Sequence, residues 1–221
     1  AEGAADGTTV TAVSQSGGRG RRGRGWHDEP GASLLVSVVL RPQLAVARWP
    51  TLSLVAAVAV AETLRRGCAL DACLKWPNDV RVGGRKIAGI LLESRVTVPP
   101  ALVVGVGVNL GQRRFPPDLA GRATSVFLER GHAPVPADVL DALLDELDAW
   151  RGRLERDGFA PVRARWKALA ETLGTEVDVD GVRGVAVDLD LDGALIVEAR
   201  GRRHRVVAGE VTEGDPHAAR R

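Results

Sequence analysis

The chain has 221 residues, which is long enough for one substantial hydrophobic core and a small appended domain. Its hydrophobic content of 45% and its charged content of 26% are typical of globular proteins and exclude a largely disordered chain. The 30 basic and 28 acidic side chains leave a net charge of only +2, which argues against a dedicated DNA-duplex-binding protein.

The composition also bears on cellular location and on the cysteines. No apolar run is long enough to span a membrane without a charge, and no cationic start followed by an apolar segment marks a signal peptide. We therefore expect a cytoplasmic protein that does not associate with membranes. Cys68 and Cys73 have no histidine nearby that would complete a metal site, so we expect two buried, reduced thiols.

The first part of the chain contains a glycine- and arginine-rich segment between two predicted strands. Residues 1–7 read as the end of a helix closed by Gly7, and the β-branched residues of Thr8–Ser14 predict a strand. The segment Gly17–Trp26 then holds four arginines and five glycines, a composition that disfavours helix and strand and predicts a loop. A second strand is predicted over Ser33–Leu40, so the loop is held at both ends.

The chemistry of this segment, Gly17–Trp26, which we call the arginine loop, fits an anionic ligand. Successive backbone N–H groups can form an anion-binding concavity, and guanidinium groups match the oxygens of phosphates and carboxylates. The same composition also occurs in disordered Arg-Gly tracts that bind nucleic acid without sequence specificity. The two flanking strands favour the ordered loop.

The middle of the chain is predicted to form a buried helix and then three strands. Dense apolar residues, with an early proline and a late glycine, favour a helix over Trp49–Arg66. Gly83-Gly84 reads as a tight turn between strands over Leu74–Val82 and Arg85–Glu93. The next strand, Leu102–Leu110, carries glycines at alternate positions, which either leave room for a flat group on the sheet or mark a bulge or a close helix contact.

The C-terminal half is predicted to contain helices followed by short strands. We expect a short helix over Thr124–Glu129, a long amphipathic helix from Pro136 and a further helix over Phe159–Leu173. The strands alternate polar and apolar residues and are predicted over Thr175–Asp180, Gly184–Leu191, Ala194–Ala199 and His204–Val207. We interpret them as a small β-barrel that begins at about residue 174 and is followed by a frayed tail over 214–221.

Two lysines fall close together in the predicted hairpin. Only three of the 30 basic residues are lysines, and two of them, Lys75 and Lys86, lie beside Asn78 and Asp79 and within reach of the arginine loop. Cationic groups of this kind are needed when a carboxylate attacks a nucleotide phosphate, because two negative charges must be held together. Trp26, at the end of the loop, can stack on a purine or fill the core.

Several motifs follow one another in an order that is specific in combination, although no single motif is diagnostic. They are Gln15, Gly18–Arg24, Trp26, Pro30-Gly31, Ser37, Arg41-Pro42, Lys75–Asp79, Arg85–Leu91, Gly105–Asn109 and Gly209–Val211. In this combination, which covers most of its length, the chain resembles the biotin protein ligases.

The resemblance implies an α+β fold: a mixed β-sheet packed by helices, as in class II aminoacyl-tRNA synthetases, with a small SH3-like β-barrel at the C-terminus. It implies a catalytic domain over 1–173, the barrel over 174–213 and a flexible tail over 214–221. The implied reaction joins biotin and ATP, with Mg²⁺, into biotinyl-5′-AMP and pyrophosphate. A lysine of a biotin carboxyl carrier protein then attacks the mixed anhydride.

The resemblance also implies a role for each matching residue. Arg21, Lys86 and Asp79 would be catalytic, and Asp79 would also meet the metal or the incoming amine. Biotin would contact Gln15, Gly18, Arg19, Gly20, Arg21, Lys86, Gly89, Gly105 and Gly107. ATP would contact Arg21, Arg22, Arg24, Trp26, Lys75, Asn78 and Asn109. Structural roles without a catalytic function also stay open: Asp79 can be a turn residue, and Lys86 can be a surface charge.

The sequence departs from the family pattern near its beginning. Gly17 stands where the family often has alanine. The Ser/Thr-Thr-Asn element that contacts the biotin ring in the family would lie before residue 1, so we expect weaker biotin binding than in a form extended upstream. No DNA-binding helical domain precedes the motifs, so we expect no specific DNA partner, whereas exposed edge strands would allow a homodimer.

Three other functions stay open from the sequence. A lipoate ligase shares the fold but would lack the Gly-Arg-Gly-Arg-Arg-Gly pattern. An RNA-binding protein would interleave aromatic residues with its arginines, whereas this chain has no tyrosine and three phenylalanines. A protein that binds biotin without catalysis would keep the same pocket.

Overall fold

The chain folds into two antiparallel β-sheets and a layer of helices. The computed structural model describes residues 3–95 and 100–213, so the predicted tail lies outside these ranges. The first sheet contains β1 (Thr9–Ala12), β2 (Ser33–Leu40), β3 (Cys73–Lys75), β4 (Asp79–Val82), β5 (Arg85–Arg95) and β6 (Ala101–Asn109), in the order β1-β2-β6-β5-β4-β3.

The helices and the second sheet complete the fold. The helices are α1 (Thr51–Gly67), α2 (Val126–Arg130), α3 (Pro136–Asp157) and α4 (Ala160–Leu169). The second sheet contains β7 (Glu176–Val179), β8 (Val182–Leu189), β9 (Leu195–Ala199), β10 (Arg202–Val206) and β11 (Val211–Glu213), in the order β10-β9-β8-β7-β11. None of the helices in the described ranges is both long and apolar enough to cross a membrane.

Helix α1 forms the centre of the core. From Thr51 to Leu64 every residue except Ser53 is buried, because α1 packs against β3, β4 and β5 on one side and against α3 and α4 on the other. A helix enclosed in this way needs apolar residues all round, rather than the single apolar stripe of a surface helix. This explains the dense apolar run from which the helix was predicted.

The two faces of the first sheet differ in character. On β6, Val104, Val106 and Val108 are buried and belong to the same apolar cluster as α1. Because residues two apart share a face of a strand, Gly105 and Gly107 lie on the opposite face. The first sheet therefore has one face covered by helices and one face with glycines at its centre.

The sheets confirm the predicted α+β class, correct the prediction of a mixed sheet and do not show a closed barrel within the described residues. All pairs of named strands are antiparallel, because most neighbouring strands are joined by hairpins. The prediction of a mixed sheet is wrong, since parallel pairing in the described ranges is limited to the isolated bridges Leu74–Ala170 and Lys86–Ala123. The predicted barrel is not closed within the described residues, where β10 and β11 lie at the two edges of the second sheet.

Two predicted helix ends also differ from the structure. Residues 3–7 form turns and coil rather than a helix end, and Gly7 adopts a positive φ of 77°. Helix α4 ends at Leu169 rather than Leu173. It ends there because Ala170 leaves the helical region with a ψ of 125°.

The two cysteines are free but only partly buried. Cys68 and Cys73 both keep intermediate exposure, so the prediction of reduced thiols is confirmed and the prediction of full burial is wrong. Burial raises the pKa of both thiols, which disfavours the reactive thiolate form.

The second sheet docks on the rest of the protein through the motif Lys75–Asp79. Trp76 is 2% exposed, and its indole Nε1 donates to the Gly193 carbonyl at 3.1 Å. Its backbone N–H donates to Thr172 Oγ1 at 2.9 Å. Gly193 lies between β8 and β9 with a φ of 88°, and a Cβ there would lie 2.5 Å from Leu54 Cδ1 on α1. Trp76 therefore fixes this motif against the second sheet.

The docking of the β8–β9 hairpin on α1 can be tested by comparing Gly193→Ala with Gly201→Ala. Both glycines have positive φ, but nothing lies within 4 Å of a Cβ on Gly201. We expect Gly201→Ala to lower the free energy of unfolding by about 1–2 kcal/mol through backbone strain alone. Gly193→Ala should cost about 1–3 kcal/mol more, because its methyl group overpacks Leu54. Urea denaturation measures both losses, and equal losses would mean that the hairpin does not dock on α1.

Candidate active site

One row of directly paired residues crosses the first sheet. Each of the six strands contributes one residue, and paired residues of an antiparallel sheet point to the same face. The row is Ala12, Leu35, Gly107, Gly89, Asp79 and Lys75. Its last four members come from three separate sequence motifs and are all predicted site residues. The register of the sheet thus brings them together on the face opposite the helices.

Lys86 lies beside this row. Its Nζ forms an ion pair of 2.6 Å with Asp79 Oδ1, and the two side chains are 32% and 23% exposed. A Cβ on Gly89 would lie 3.1 Å from Lys86 Cε and Nζ. The absence of a side chain at Gly89 therefore leaves room for the end of the Lys86 side chain. The structure therefore brings two of the predicted catalytic residues, Lys86 and Asp79, into direct contact.

The arginine loop folds as a small hairpin. The Trp26 N–H donates to the Gly18 carbonyl at 2.9 Å, and the Gly20 N–H donates to the Arg24 carbonyl at 2.6 Å. The tip, Arg21–Gly23, is a single 3₁₀ turn. The loop is therefore ordered by its own backbone hydrogen bonds as well as by the strands that flank it.

Trp26 closes the arginine loop onto the glycines of the sheet. A Cβ on Gly107 would lie 2.6 Å from Trp26 Cε2, and one on Gly89 would lie 3.1 Å from Trp26 Cζ3. A Cβ on Gly18 would lie 2.9 Å from both Gln15 Oε1 and the Trp26 carbonyl. The indole thus fills the space above Gly89 and Gly107 that the sequence predicted for a ligand. Its Nε1 is buried and has no hydrogen-bond partner in the part of the chain that the structure describes.

Each arginine of the loop contacts a different polar side chain. The pairs are Arg19–Glu93, Arg21–Asn78, Arg22–Asp180 and Arg24–Glu210. Glu93 lies on β5 and Asn78 directly before β4, whereas Asp180 follows β7 and Glu210 directly precedes β11. The arginine loop therefore bridges the two sheets.

Arg21 is the arginine of the loop that points into the site. Its Nη1 donates to Asn78 Oδ1 at 3.3 Å, and Asn78 Nδ2 donates in turn to the Ile90 carbonyl at 2.7 Å. Burial, reinforced by the charge of Arg22, lowers the pKa of Arg21. Because the hydrogen-bond partner of this half-buried guanidinium is a neutral amide, the position favours an anion.

A narrow cleft separates the arginine loop from the second sheet. Its lining residues are Arg21, Arg22, Arg24, Lys75, Trp76, Pro77, Asn78, Asp79, Gly209, Glu210 and Val211. The cleft holds about 30 Å³, whereas small-molecule sites hold roughly 300–1,000 Å³. In this conformation the cleft is smaller than a nucleotide site, so we expect the residues that line it to move when a nucleotide binds.

Asn109 lies on the same face of the first sheet but is engaged in a separate network. It is 4% exposed; its Nδ2 donates to the Thr124 carbonyl at 2.9 Å, and its Oδ1 accepts from Gln112 Nε2 at 3.3 Å. The Thr124 N–H also donates to the Lys86 carbonyl at 2.8 Å. Asn109 therefore ties the end of β6 to the segment beside Lys86, and its contact with ATP stays a prediction.

Sequence reasoning missed the acidic partners of the loop. Glu93, Asp180 and Glu210 each hold one arginine. The sequence Asp180-Gly181 signals a turn, but a local pattern does not indicate that Asp180 meets an arginine 158 positions away. Arg22 and Glu210 hold the pKa of Asp180 below its usual range, Arg22 through a side-chain hydrogen bond and Glu210 through its backbone.

Comparison with known proteins identifies the family. The model of the Biotin/lipoate A/B protein ligase family matches residues 2–109. The biotin--[acetyl-CoA-carboxylase] ligase of Paracoccus denitrificans is 39% identical over 216 residues, which cover 93% of this chain and 90% of that protein. The chain belongs to the biotin protein ligase family. The resemblance seen in the sequence is therefore confirmed.

Two further comparisons extend this finding. The biotin--[acetyl-CoA-carboxylase] ligase of Mycobacterium tuberculosis is 37% identical over 215 residues, which cover 93% of this chain and 79% of that protein. The structure of the biotin protein ligase from Aquifex aeolicus in complex with biotin and ATP matches with a TM-score of 0.84 and 28% identity, over 95% of this chain and 89% of that one. The fold described above is thus the fold of a biotin protein ligase.

The contact between the glycines and Trp26 can be tested by comparing Gly107→Ala with Gly105→Ala. Both glycines lie on the same face of β6, but the atom nearest to a Cβ on Gly105 is the Leu91 carbonyl oxygen at 3.5 Å. We expect Gly107→Ala to push the indole towards water and shift its fluorescence to longer wavelength, whereas Gly105→Ala should leave the emission unchanged. The change in emission can be assigned to Trp26, because the other tryptophans, Trp49, Trp76, Trp150 and Trp166, are all buried. Equal spectra for both variants would place Trp26 elsewhere.

Proposed function

We propose that this chain is an ATP-dependent biotin–protein ligase that forms biotinyl-5′-AMP and transfers the biotin to a lysine of a carrier protein. One observation carries the proposal. The register of the first sheet places Lys75, Asp79, Gly89 and Gly107 in one row beneath the arginine loop. This arrangement combines a surface without side chains, which a flat ligand can occupy once the Trp26 indole moves off it, with cationic groups on both sides of that surface.

In the first step, a carboxylate oxygen of biotin attacks the α-phosphorus of ATP. The new bond joins that oxygen to phosphorus, and the bond to the β-phosphate oxygen breaks, so pyrophosphate leaves. We assign Arg21 and Lys86 to hold the two anions together and to stabilise the charge that develops on the phosphoryl oxygens. Lys86 must then exchange Asp79 for the ligand, and this exchange is favourable only when the ligand is an anion.

In the second step, the carrier lysine attacks the carbonyl carbon of the mixed anhydride. The carbon–oxygen bond to phosphate breaks, AMP leaves, and the amine must lose a proton. We assign Asp79 to orient the amine and to accept this proton, because Asp79 is the carboxylate that Lys86 releases when it turns to the ligand. The remaining biotin contacts predicted from the sequence, Gln15, Gly18, Arg19, Gly20 and Gly105, are part of this proposal.

The remaining ATP contacts are assigned to groups around the cleft. Lys75, Asn78, Arg22 and Arg24 line the cleft, and we assign them to the phosphates. We assign Trp26 and Asn109 to the adenine. Arg22 and Arg24 are held by Asp180 and Glu210 in the structure, so phosphate contacts from them would require these ion pairs to open.

Mg²⁺ fits this site only together with the nucleotide. Among residues 3–95 and 100–213, no cluster of three acidic, histidine or cysteine side chains forms a metal site. Mg²⁺ in nucleotide sites uses one or two carboxylates and takes its other ligands from phosphates and water. Asp79, with Glu210 across the same cleft, supplies such a carboxylate. The ion would neutralise phosphate charge in the first step.

Finer features of the architecture are part of the same proposal. We assign residues 1–173 to a catalytic domain with the fold of class II aminoacyl-tRNA synthetases and residues 174–213 to an SH3-like domain. The five sequential short strands of the second sheet support the latter assignment. We assign the acceptor to a biotin carboxyl carrier protein, and the acetyl-CoA-carboxylase in the names of two relatives supports this assignment. The exposed β1 edge of the first sheet would allow a homodimer.

The proposal is tested by ATP–pyrophosphate exchange on the purified chain with Mg²⁺. We expect exchange that depends on biotin and that lipoate does not support. Exchange with lipoate alone would indicate a lipoate-type ligase, which the matched family model also includes. Salt-sensitive retention of single-stranded RNA without any exchange would favour RNA binding. This last outcome is disfavoured by the acidic or amide partner that each arginine of the loop already has.

In the same assay, Lys86→Ala and Lys167→Ala form a matched pair. Each lysine is ion-paired at 2.6 Å, Lys86 with Asp79 and Lys167 with Asp188, and their exposed fractions are 32% and 36%. Lys86→Ala should lose about 2–4 kcal/mol of transition-state stabilisation, because a charge-assisted contact to the reacting groups is removed. Lys167→Ala should exchange at the wild-type rate. Equal rates for the two variants would refute the assignment of Lys86.

A further inference from the structure

The ion pair between Arg22 and Asp180, which we call the loop latch, joins two unusual backbone positions. Arg22 has a φ of 55° and Asp180 a φ of 51°, and the described residues contain only two other non-glycine residues with positive φ, Ala69 and Arg200. Such positions cost free energy and persist where surrounding contacts enforce them. The two residues lie 158 positions apart in the sequence.

The latch is a bidentate ion pair, in which each terminal nitrogen of the guanidinium donates to a different carboxylate oxygen. Arg22 Nη1 donates to Asp180 Oδ1 at 2.9 Å, and Arg22 Nη2 donates to Asp180 Oδ2 at 2.5 Å. This two-bond arrangement fixes the direction of the guanidinium as well as its distance. The pair lies at the rim of the site, with side chains that are 50% and 48% exposed.

Neighbouring arginines of the loop therefore face different ways. Arg21 turns inwards to Asn78 on the first sheet, whereas Arg22 turns to Asp180 on the second sheet. The left-handed conformation at Arg22 lets adjacent side chains diverge in this way. The tip of the loop is thus held between the two sheets, with Arg21 directed into the cleft.

The turn that carries Asp180 is held independently of the loop. Asp178 Oδ1 accepts the Gly181 N–H at 2.9 Å, and Asp178 Oδ2 accepts Arg183 Nε at 2.6 Å. A Cβ on Gly209 would lie 3.2 Å from Asp180 Oδ2, so the chain before β11 also packs closely against this carboxylate. Asp180 therefore presents a fixed acceptor to a loop that has to move.

We propose that Asp180 is a positioning residue that holds the arginine loop closed over bound biotinyl-5′-AMP and slows its release. This inference rests on the proposed ligase function and adds a role for the second sheet. The intermediate is a mixed anhydride that water can hydrolyse, so a closed loop both retains and shields it. The latch acts through Arg22 and does not touch the reacting atoms.

The test compares Asp180→Asn with the matched control Asp178→Asn. Asparagine has the same shape and tolerates a left-handed backbone, so Asp180→Asn removes the charge without straining the turn. We expect release of preformed biotinyl-5′-AMP to become about two- to fivefold faster in Asp180→Asn, the range for an exposed ion pair. Release should be unchanged in Asp178→Asn. Adenylate formation in a single turnover should not become slower in either variant, because opening the latch frees Arg22 for the phosphates.

Hydrogen exchange of the unliganded chain tests the latch separately from the ligase function. The amides of Gly20 and Trp26 are hydrogen-bonded within the loop, and we expect both to exchange faster in Asp180→Asn than in Asp178→Asn. Faster amide exchange in a chain that catalyses no biotin-dependent pyrophosphate exchange would support the latch and refute the ligase. Equal adenylate release from the two variants, or slower release from Asp180→Asn, would overturn the proposal.

Discussion

The close approach of Trp26 to the first sheet is the contact on which the rest of the site depends. The indole reaches the sheet because Gly107 and Gly89 have no side chains, and a Cβ on Gly107 would lie 2.6 Å from the ring. This contact sets the height of the arginine loop above β5 and β6. It thereby places Arg21 beside Asn78 and Lys86 within 5.8 Å of the centre of the indole ring.

Charge repulsion then determines how the loop is held. Four guanidinium groups within six residues repel one another, and each is stabilised by a separate partner. Two of the partners lie in or beside the first sheet and two lie beside strands of the second. The position of the loop therefore depends on both sheets. The cleft of about 30 Å³ is lined by the arginine loop, by the motif Lys75–Asp79 and by residues 209–211 directly before and in β11. The second sheet is therefore part of the site.

The sequence predicted the elements of the fold and the residues of the site better than the long-range contacts between them. A continuous run of β-prone residues located the strand Ser33–Leu40, and two glycines located the turn at Gly83-Gly84, because these signals are local. Asp79, Gly89 and Gly107 were each predicted as site residues in separate motifs. Their pairing in one row was not predicted, because strand register is set by long-range pairing. The partners Asp180 and Glu210, and the structural role of Trp76, depend on tertiary contacts that a local pattern does not encode.

The central claim is that the face of the first sheet beneath the arginine loop binds the acyl-adenylate. A crystal structure of the chain with biotinyl-5′-AMP tests it most directly. We predict that the ligand lies above Gly89 in the place that the Trp26 indole now fills, with Lys86 Nζ and an Arg21 nitrogen within about 3.2 Å of the carbonyl or phosphate oxygens of the ligand. We also predict a lengthened contact between Lys86 and Asp79. A ligand bound elsewhere, with the ion pair of 2.6 Å between Lys86 and Asp79 intact, would contradict the account.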